Sequence, residues 1–155
     1  MQFSSTAFKN GANIPVKYTG EGDDILSPLS WSDPPDGTRS FAIIFEDPED
    51  TTAPGGVFTH WFIFNIPPDS REMPESLPKQ SKLTNKAIQG KNDFGKIGYG
   101  GPLPDGTGPH RYRFTLYALN HLLDLAGDVS KVQVLDSTKR HVLAKEELWG
   151  IYPHI

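Results

Sequence analysis

Two histidines, one aspartate and one tyrosine stand where this sequence can do chemistry. His60 opens the apolar run HWFIFNI, His110 opens HRYRFTLYAL with Tyr112 two residues on, and Asp47 closes FAIIFED. Side chains on a strand alternate between faces, so His110, Tyr112 and Phe114 are expected on one face. By the same rule His60 is expected to share a face with Phe62 and Phe64, and Asp47 with Phe41, Ile43 and Phe45. An antiparallel pairing of the strand ending at Asp47 with the one starting at His60 closes one end of a sheet through residues 48–59. Asp47, His60, His110 and Tyr112 then meet at one rim. Imidazolium and phenol donate hydrogen bonds, and a carboxylate orients or charges a histidine, so such a rim has the chemistry of an anion receptor.

The seven glycines from Gly90 to Gly108, both included, in GKNDFGKIGYGGPLPDGTG, are expected to add backbone N–H groups that approach a ligand without a Cβ in the way. The run matches neither GxGxxG nor GxxxxGK[ST], and no helix is expected after it, so it is not a nucleotide loop. Each residue also has a structural role open to it. A histidine at a strand start serves packing as readily as binding, Asp47 before Pro48 can simply start a turn, and a Gly-rich run can be turns alone. Trp31, Trp61 and Trp149 read as core, and His121, His141 and His154 show no pairing pattern that assigns them a role.

The elements that must position the rim are strands. The 15 Gly and 14 Pro recur along most of the chain and leave little room for long helices. Residues 41–47 form a continuous β-branched and aromatic run between the turn Pro35-Asp36-Gly37 and Pro48, and read as a strand buried on both faces. Residues 60–66 have the same character and stop at Pro67-Pro68, and residues 111–119 follow the Gly108-Pro109 pair. These three are expected at the centre of the sheet. Ser130 is a candidate N-cap for one short helix with Val129, Val132 and Leu135 as its apolar positions, after which the tail can return to strand. Residues 67–83 are polar and Pro-rich, as in a long surface loop.

At 155 residues the chain fits one domain, residues 1–155, and no repeat, linker or low-complexity tract divides it. Its formal net charge of -4, with 15 basic residues scattered among 19 acidic ones, argues against nucleic acid as a partner. There is no cysteine, hence no disulfide, thiolate ligand or thiol nucleophile. No run is apolar enough for a signal peptide or a membrane helix, which sets a cytoplasmic protein without membrane insertion as the expectation.

The ordered series IPVKYTGEGDD, SPLSW, HW, FNIPP, GKNDFGKIGYGGPLPDGTGPHRYRFTLYAL and HVLAKEELWGIY resembles the phosphatidylethanolamine-binding protein family, also called Raf kinase inhibitor protein-like. The similarity runs over nearly the whole chain and is strongest to the short bacterial and archaeal members. It implies an all-β fold, an antiparallel Greek-key β-sandwich with one or two short helices near the C-terminus. It also implies a small anion pocket made by Asp47, Pro48, His60, Gly101, Pro102, His110 and Tyr112, with no cofactor and no catalytic residue. The resemblance further implies a phosphate or phosphomonoester ligand and a kinase or serine protease as regulated partner. The oligomeric state stays open, a homodimer among the options.

Two departures are visible. The family's compact DPDAP is here DPEDTTAP, with Glu49 or Asp50 in place of the second acid, and the chain ends soon after Trp149, without the longer C-terminal helix of eukaryotic members. The rival reading is a metal-dependent enzyme with Asp47, His60 and His110 as a facial triad. Against it stands the absence of a close HxH or HxD pair. No serine sits in a GxSxG elbow for a hydrolase.

Overall fold

A computed structural model describes residues 1–154. Five strands form one antiparallel sheet: β3 (Ser40–Asp47), β4 (Phe58–Ile66), β6 (Ile88–Gln89), β7 (His110–Leu119) and β8 (Val142–Tyr152), in the order β6-β4-β3-β7-β8. The three apolar runs of the sequence are thus its central strands, and every residue of β3 is buried. A second antiparallel sheet has the order β1-β2-β5, from β1 (Gln2–Ser4), β2 (Leu29–Ser32) and β5 (Glu72–Met73). Residues 67–83 are therefore not only loop: Met73 is buried and pairs with Leu29 across β5 and β2.

The larger hydrophobic cluster joins the two sheets. It takes Phe3, Leu29, Trp31 and Met73 from the smaller sheet and Phe41, Phe45, Trp61 and Phe114 from the larger one. The opposite face of the larger sheet buries Ala42, Ile44, Phe62, Phe64 and Leu119 under Val134 of α1 (Lys131–Thr138). Ser130 caps α1 as expected, in a capping box with Gln133. Of its expected apolar positions, Val129 and Leu135 pack against this cluster and Val132 does not. Val132 is 60% exposed, while Val134 is buried, because the side of the helix that meets the sheet runs through Val134 and Thr138.

Two bulges interrupt the β3–β4 pairing, and the one nearer Asp47 decides which β4 side chain reaches the rim. Between β3 and β4, Phe45 pairs with Trp61 but Glu46 pairs with Thr59, so His60 is an extra residue without a partner on β3. A bulge of this kind turns the following side chains by one position. The expectation that His60 shares a face with Phe62 and Phe64 is therefore wrong. Its ring lies with Phe45 and Tyr112 in the larger cluster's territory, while Phe62 and Phe64 face α1. A second extra residue, Asn65, at φ 56°, carries its amide to the backbone of Leu123.

Trp31 and Trp61 are core, but Trp149 is not. It is half-buried on β8, with the guanidinium groups of Arg111 and Arg113 at 5.8 and 5.3 Å from its ring. His121 and His141, given no pairing by the sequence, stack at 4.7 Å because β8 begins beside the end of β7.

Candidate anion-binding site

Asp47 ends β3, and His110 begins the strand paired alongside it. Asp47 Oδ2 lies 2.6 Å from His110 Nδ1, and its Oδ1 accepts the Glu49 N–H at 2.9 Å. The outward nitrogen of His110, Nε2, is 2.7 Å from Thr107 Oγ1, whose own proton goes to Asp105 Oδ1 at 2.5 Å. Counting donors shows which form the geometry suits. With the Thr107 hydrogen on Asp105 and Asp47 able only to accept, the arrangement suits a His110 that carries hydrogen on both nitrogens. Burial alone would lower the pKa of His110, but the hydrogen bond and charge of Asp47, helped by Asp105 and Glu49, raise it above the ordinary value.

His60 is in the opposite electrostatic state. Its ring is 4% exposed and lies among Phe45, Phe58, Phe94 and Tyr112, with centroids 4.8–5.5 Å away. Its Nδ1 is 2.7 Å from the Gly100 carbonyl, and its own carbonyl accepts the Gly100 N–H at 3.0 Å. A carbonyl has no proton to give, so the hydrogen sits on Nδ1. Burial pushes its pKa below the ordinary value and keeps the ring neutral, outweighing the backbone bonds to Gly100 and Gly101 and the charges of Asp47 and Asp93. Tyr112 lies between the two histidines, 5.4 Å from one ring and 6.3 Å from the other. Burial, then the charge of Asp47, pushes its pKa far up, so it stays a phenol.

Two of the loop amides expected as donors, those of Gly100 and Gly101, are spent within the protein. The Gly101 N–H is bound to Asp24 Oδ1 at 2.7 Å and that of Gly100 to His60. A Cβ on Gly101 would stand 2.6 Å from the Tyr18 carbonyl, so glycine is required there by close packing. Pro102 is buried beside it with its carbonyl accepting the Gly20 N–H, and Pro48 is half-buried after Asp47. Of the two acids in the lengthened loop, Glu49 accepts the Arg111 N–H at 2.6 Å, and Asp50 caps Thr52. Gly100 and Gly101 also line a cleft of about 390 Å³ with Phe94, Leu103, Lys79 and Lys96.

What remains unspent is specific. Among the described residues, neither His60 Nε2 nor Tyr112 Oη has a hydrogen-bond partner, and neither is among the sealed buried atoms that lack one, which are Ser27 Oγ, Trp31 Nε1 and Arg113 Nε. Both atoms therefore keep contact with solvent although their residues are 4% and 2% exposed. The facial triad is not assembled: Asp47 is spent on His110, and no group of three potential ligands is gathered for a metal among the described residues. Asp24, Asp93, Asp105 and Thr107 were missed by reading the strands alone. Asp93 holds the Gly-rich loop to β4 by accepting the Thr59 N–H at 2.7 Å. The Asp-Gly-Thr of 105–107 is a recognisable turn signal.

The sequence profile described as phosphatidylethanolamine-binding protein matches residues 4–153. The chain belongs to the phosphatidylethanolamine-binding protein family. It is 45% identical over 152 residues to a UPF0098 protein of Methanothermobacter thermautotrophicus, covering 98% of each chain. Among solved structures it is similar to a putative phosphatidylethanolamine-binding protein homolog of Chlamydia trachomatis, with TM-score 0.88, 36% identity and 99% and 97% of the two chains covered. It is likewise similar to E. coli YbcL, described as a member of the mammalian family, with TM-score 0.88, 31% identity and 99% and 98% covered. These relatives place it in the short microbial branch, and the phosphatidylethanolamine-binding fold is the one seen here: two antiparallel sheets and one short α-helix. No helix among the described residues is long and apolar enough to cross a membrane.

Proposed function

We propose that this chain is a noncatalytic receptor for a small phosphate-type anion, inorganic phosphate or a phosphomonoester, held at the rim of Asp47, His60, His110 and Tyr112, with Gly101, Pro102 and Pro48 shaping its walls. The carrying observation is the pair of unspent polar atoms, His60 Nε2 and Tyr112 Oη, on nearly buried residues beside a charged imidazole. Buried polar groups are ordinarily paired, and unpaired ones in contact with solvent mark a place where a ligand supplies the partner. On this reading the two sheets are the layers of a Greek-key sandwich in one domain, and the rim lies at one end. The bound anion modulates a protein partner, of kinase or serine protease type, in the cytoplasm.

Titration calorimetry with inorganic phosphate tests the reading. Protonation of His110 adds a positive charge beside the rim, so affinity should be several-fold higher at pH 6 than at pH 8, with the change centred above the reference histidine value of about 6.5. A flat profile, or affinity that rises with pH, counts against it.

A further inference from the structure

The hydrogen-bond inventory of the rim says more about its ligand than its charge does. His60 offers an acceptor. Its Nδ1 hydrogen is committed to the Gly100 carbonyl at 2.7 Å, its ring is enclosed by four aromatic residues, and no carboxylate touches it. Nε2 is therefore a bare lone pair. Tyr112 beside it, as a phenol, offers one hydrogen and can also accept. The donors of His110 are both occupied, by Asp47 and by Thr107. A ligand whose oxygens are all bare would meet the phenol well but would set one oxygen lone pair against the lone pair of His60.

The charges around the rim point the same way. Asp47 and Asp105 flank His110, and Glu49 and Asp50 occupy the neighbouring loop, so the field at the rim does not favour a highly charged anion. A singly charged oxyanion that keeps one proton suits both constraints.

We propose that the site selects oxyanions that carry a proton: the ligand's P–OH donates to His60 Nε2, and a bare phosphoryl oxygen accepts from Tyr112 Oη. This rests on the anion-receptor reading above and narrows it to the monoanion of a phosphomonoester or of phosphate. No bond is made or broken. The selectivity is that of an acceptor-bearing pocket for a ligand with a matching donor, and a buried polar atom left facing a like partner is what penalises the wrong ligand.

Methyl phosphate and methyl sulfate make a matched pair of probes. At pH 5, below the second phosphate pKa of about 6, both are tetrahedral monoanions of one size, and only methyl phosphate retains a hydrogen. Methyl phosphate should bind the wild-type protein on the order of tenfold more tightly, the effect of one buried hydrogen bond made or lost. Long-range ¹H–¹⁵N spectra read His60 directly in the same samples. The free protein should show the Nδ1–H tautomer from pH 5 to 8, and the Nε2 resonance should move with methyl phosphate and not with methyl sulfate. His60→Phe keeps a ring but removes the acceptor, and should bring the two affinities together.

Equal affinity of the wild type for the two probes overturns the proposal while leaving the anion site standing. So does a His60 that carries its hydrogen on Nε2. If neither probe, up to millimolar concentration, shifts His60, His110 or Tyr112, the anion site itself is refuted and the proposal with it.

Discussion

His60 and His110 stand near the starts of the two strands that flank β3, and in the sequence they look alike: each is a histidine preceding an aromatic run. The fold gives them opposite chemistry. At the β4 end, His60 is packed among aromatic rings and held by backbone groups rather than by a carboxylate, and burial keeps it neutral. At the β7 end, His110 is half-buried and anchored to a carboxylate, so it is driven to carry a charge. Residue type sets the range of a titration, and the partner within hydrogen-bond reach decides where in that range it falls. One rim thus holds an acceptor and a cation built from the same side chain.

The largest expected effect tests whether this rim is separate from the core. Phe62, buried completely on the face towards α1, should cost about 3–5 kcal/mol of stability as Phe62→Ala. His60→Ala and His110→Ala should each cost under about 2 kcal/mol, because each removes one main hydrogen bond at a wall that water can reach. Denaturant melts of the three variants decide it. A histidine variant as unstable as Phe62→Ala would make that histidine structural.

A smaller effect sharpens the contrast between the two. The pKa of His110 is raised on folding, so its stabilisation is complete below the unfolded value of about 6.5 and is lost as pH rises through its folded pKa. The pKa of His60 is lowered, so its stabilisation is complete above about 6.5 and is lost as pH falls through its folded pKa. The cost of His110→Ala should therefore shrink towards pH 8, and that of His60→Ala should shrink towards pH 5. Parallel pH profiles for the two variants would erase the distinction.

The smallest effect concerns the outer nitrogen of His110. Thr107→Val keeps the volume and the net charge of the loop while removing the oxygen that occupies Nε2. Phosphate should then bind a few-fold more tightly, since one donor no longer has to be freed. Calorimetry against Asp50→Asn, which removes a nearby charge without touching His110, separates the freed donor from a change in field. A gain only in Asp50→Asn would show that charge alone limits affinity.

The elements were legible in proportion to their local signal. The strands β3, β4 and β7 are long, aromatic and β-branched, with turn residues at their ends, and reading them needed nothing distant. The short strands β1, β2, β5 and β6, of two to four residues, have too few side chains to show a period, and they exist because a neighbouring strand pairs with them. In β8 the stretch AKEEL is made of good helix formers, and register against β7 from Val142 to Tyr152 overrides that preference. Of the rim, Asp47, His110 and Tyr112 fell where alternation put them. His60 did not, because the bulge that turns it comes from the β3–β4 register, which strict alternation within one strand does not contain.

The sequence alone determined what acts within a few residues: which runs must be strands, the capping of α1 by Ser130 and Gln133, the turn at Asp105-Gly106-Thr107, and the residue types at the rim. The tertiary structure decided what those residues are chemically. His60 became an acceptor through a carbonyl 40 residues away, His110 a cation through a carboxylate 63 residues away, and the Gly101 amide was withdrawn from any ligand by an aspartate 77 residues away. Protonation and hydrogen-bond availability belong to pairs of groups, and these pairs exist only once the strands and loops that carry them have met.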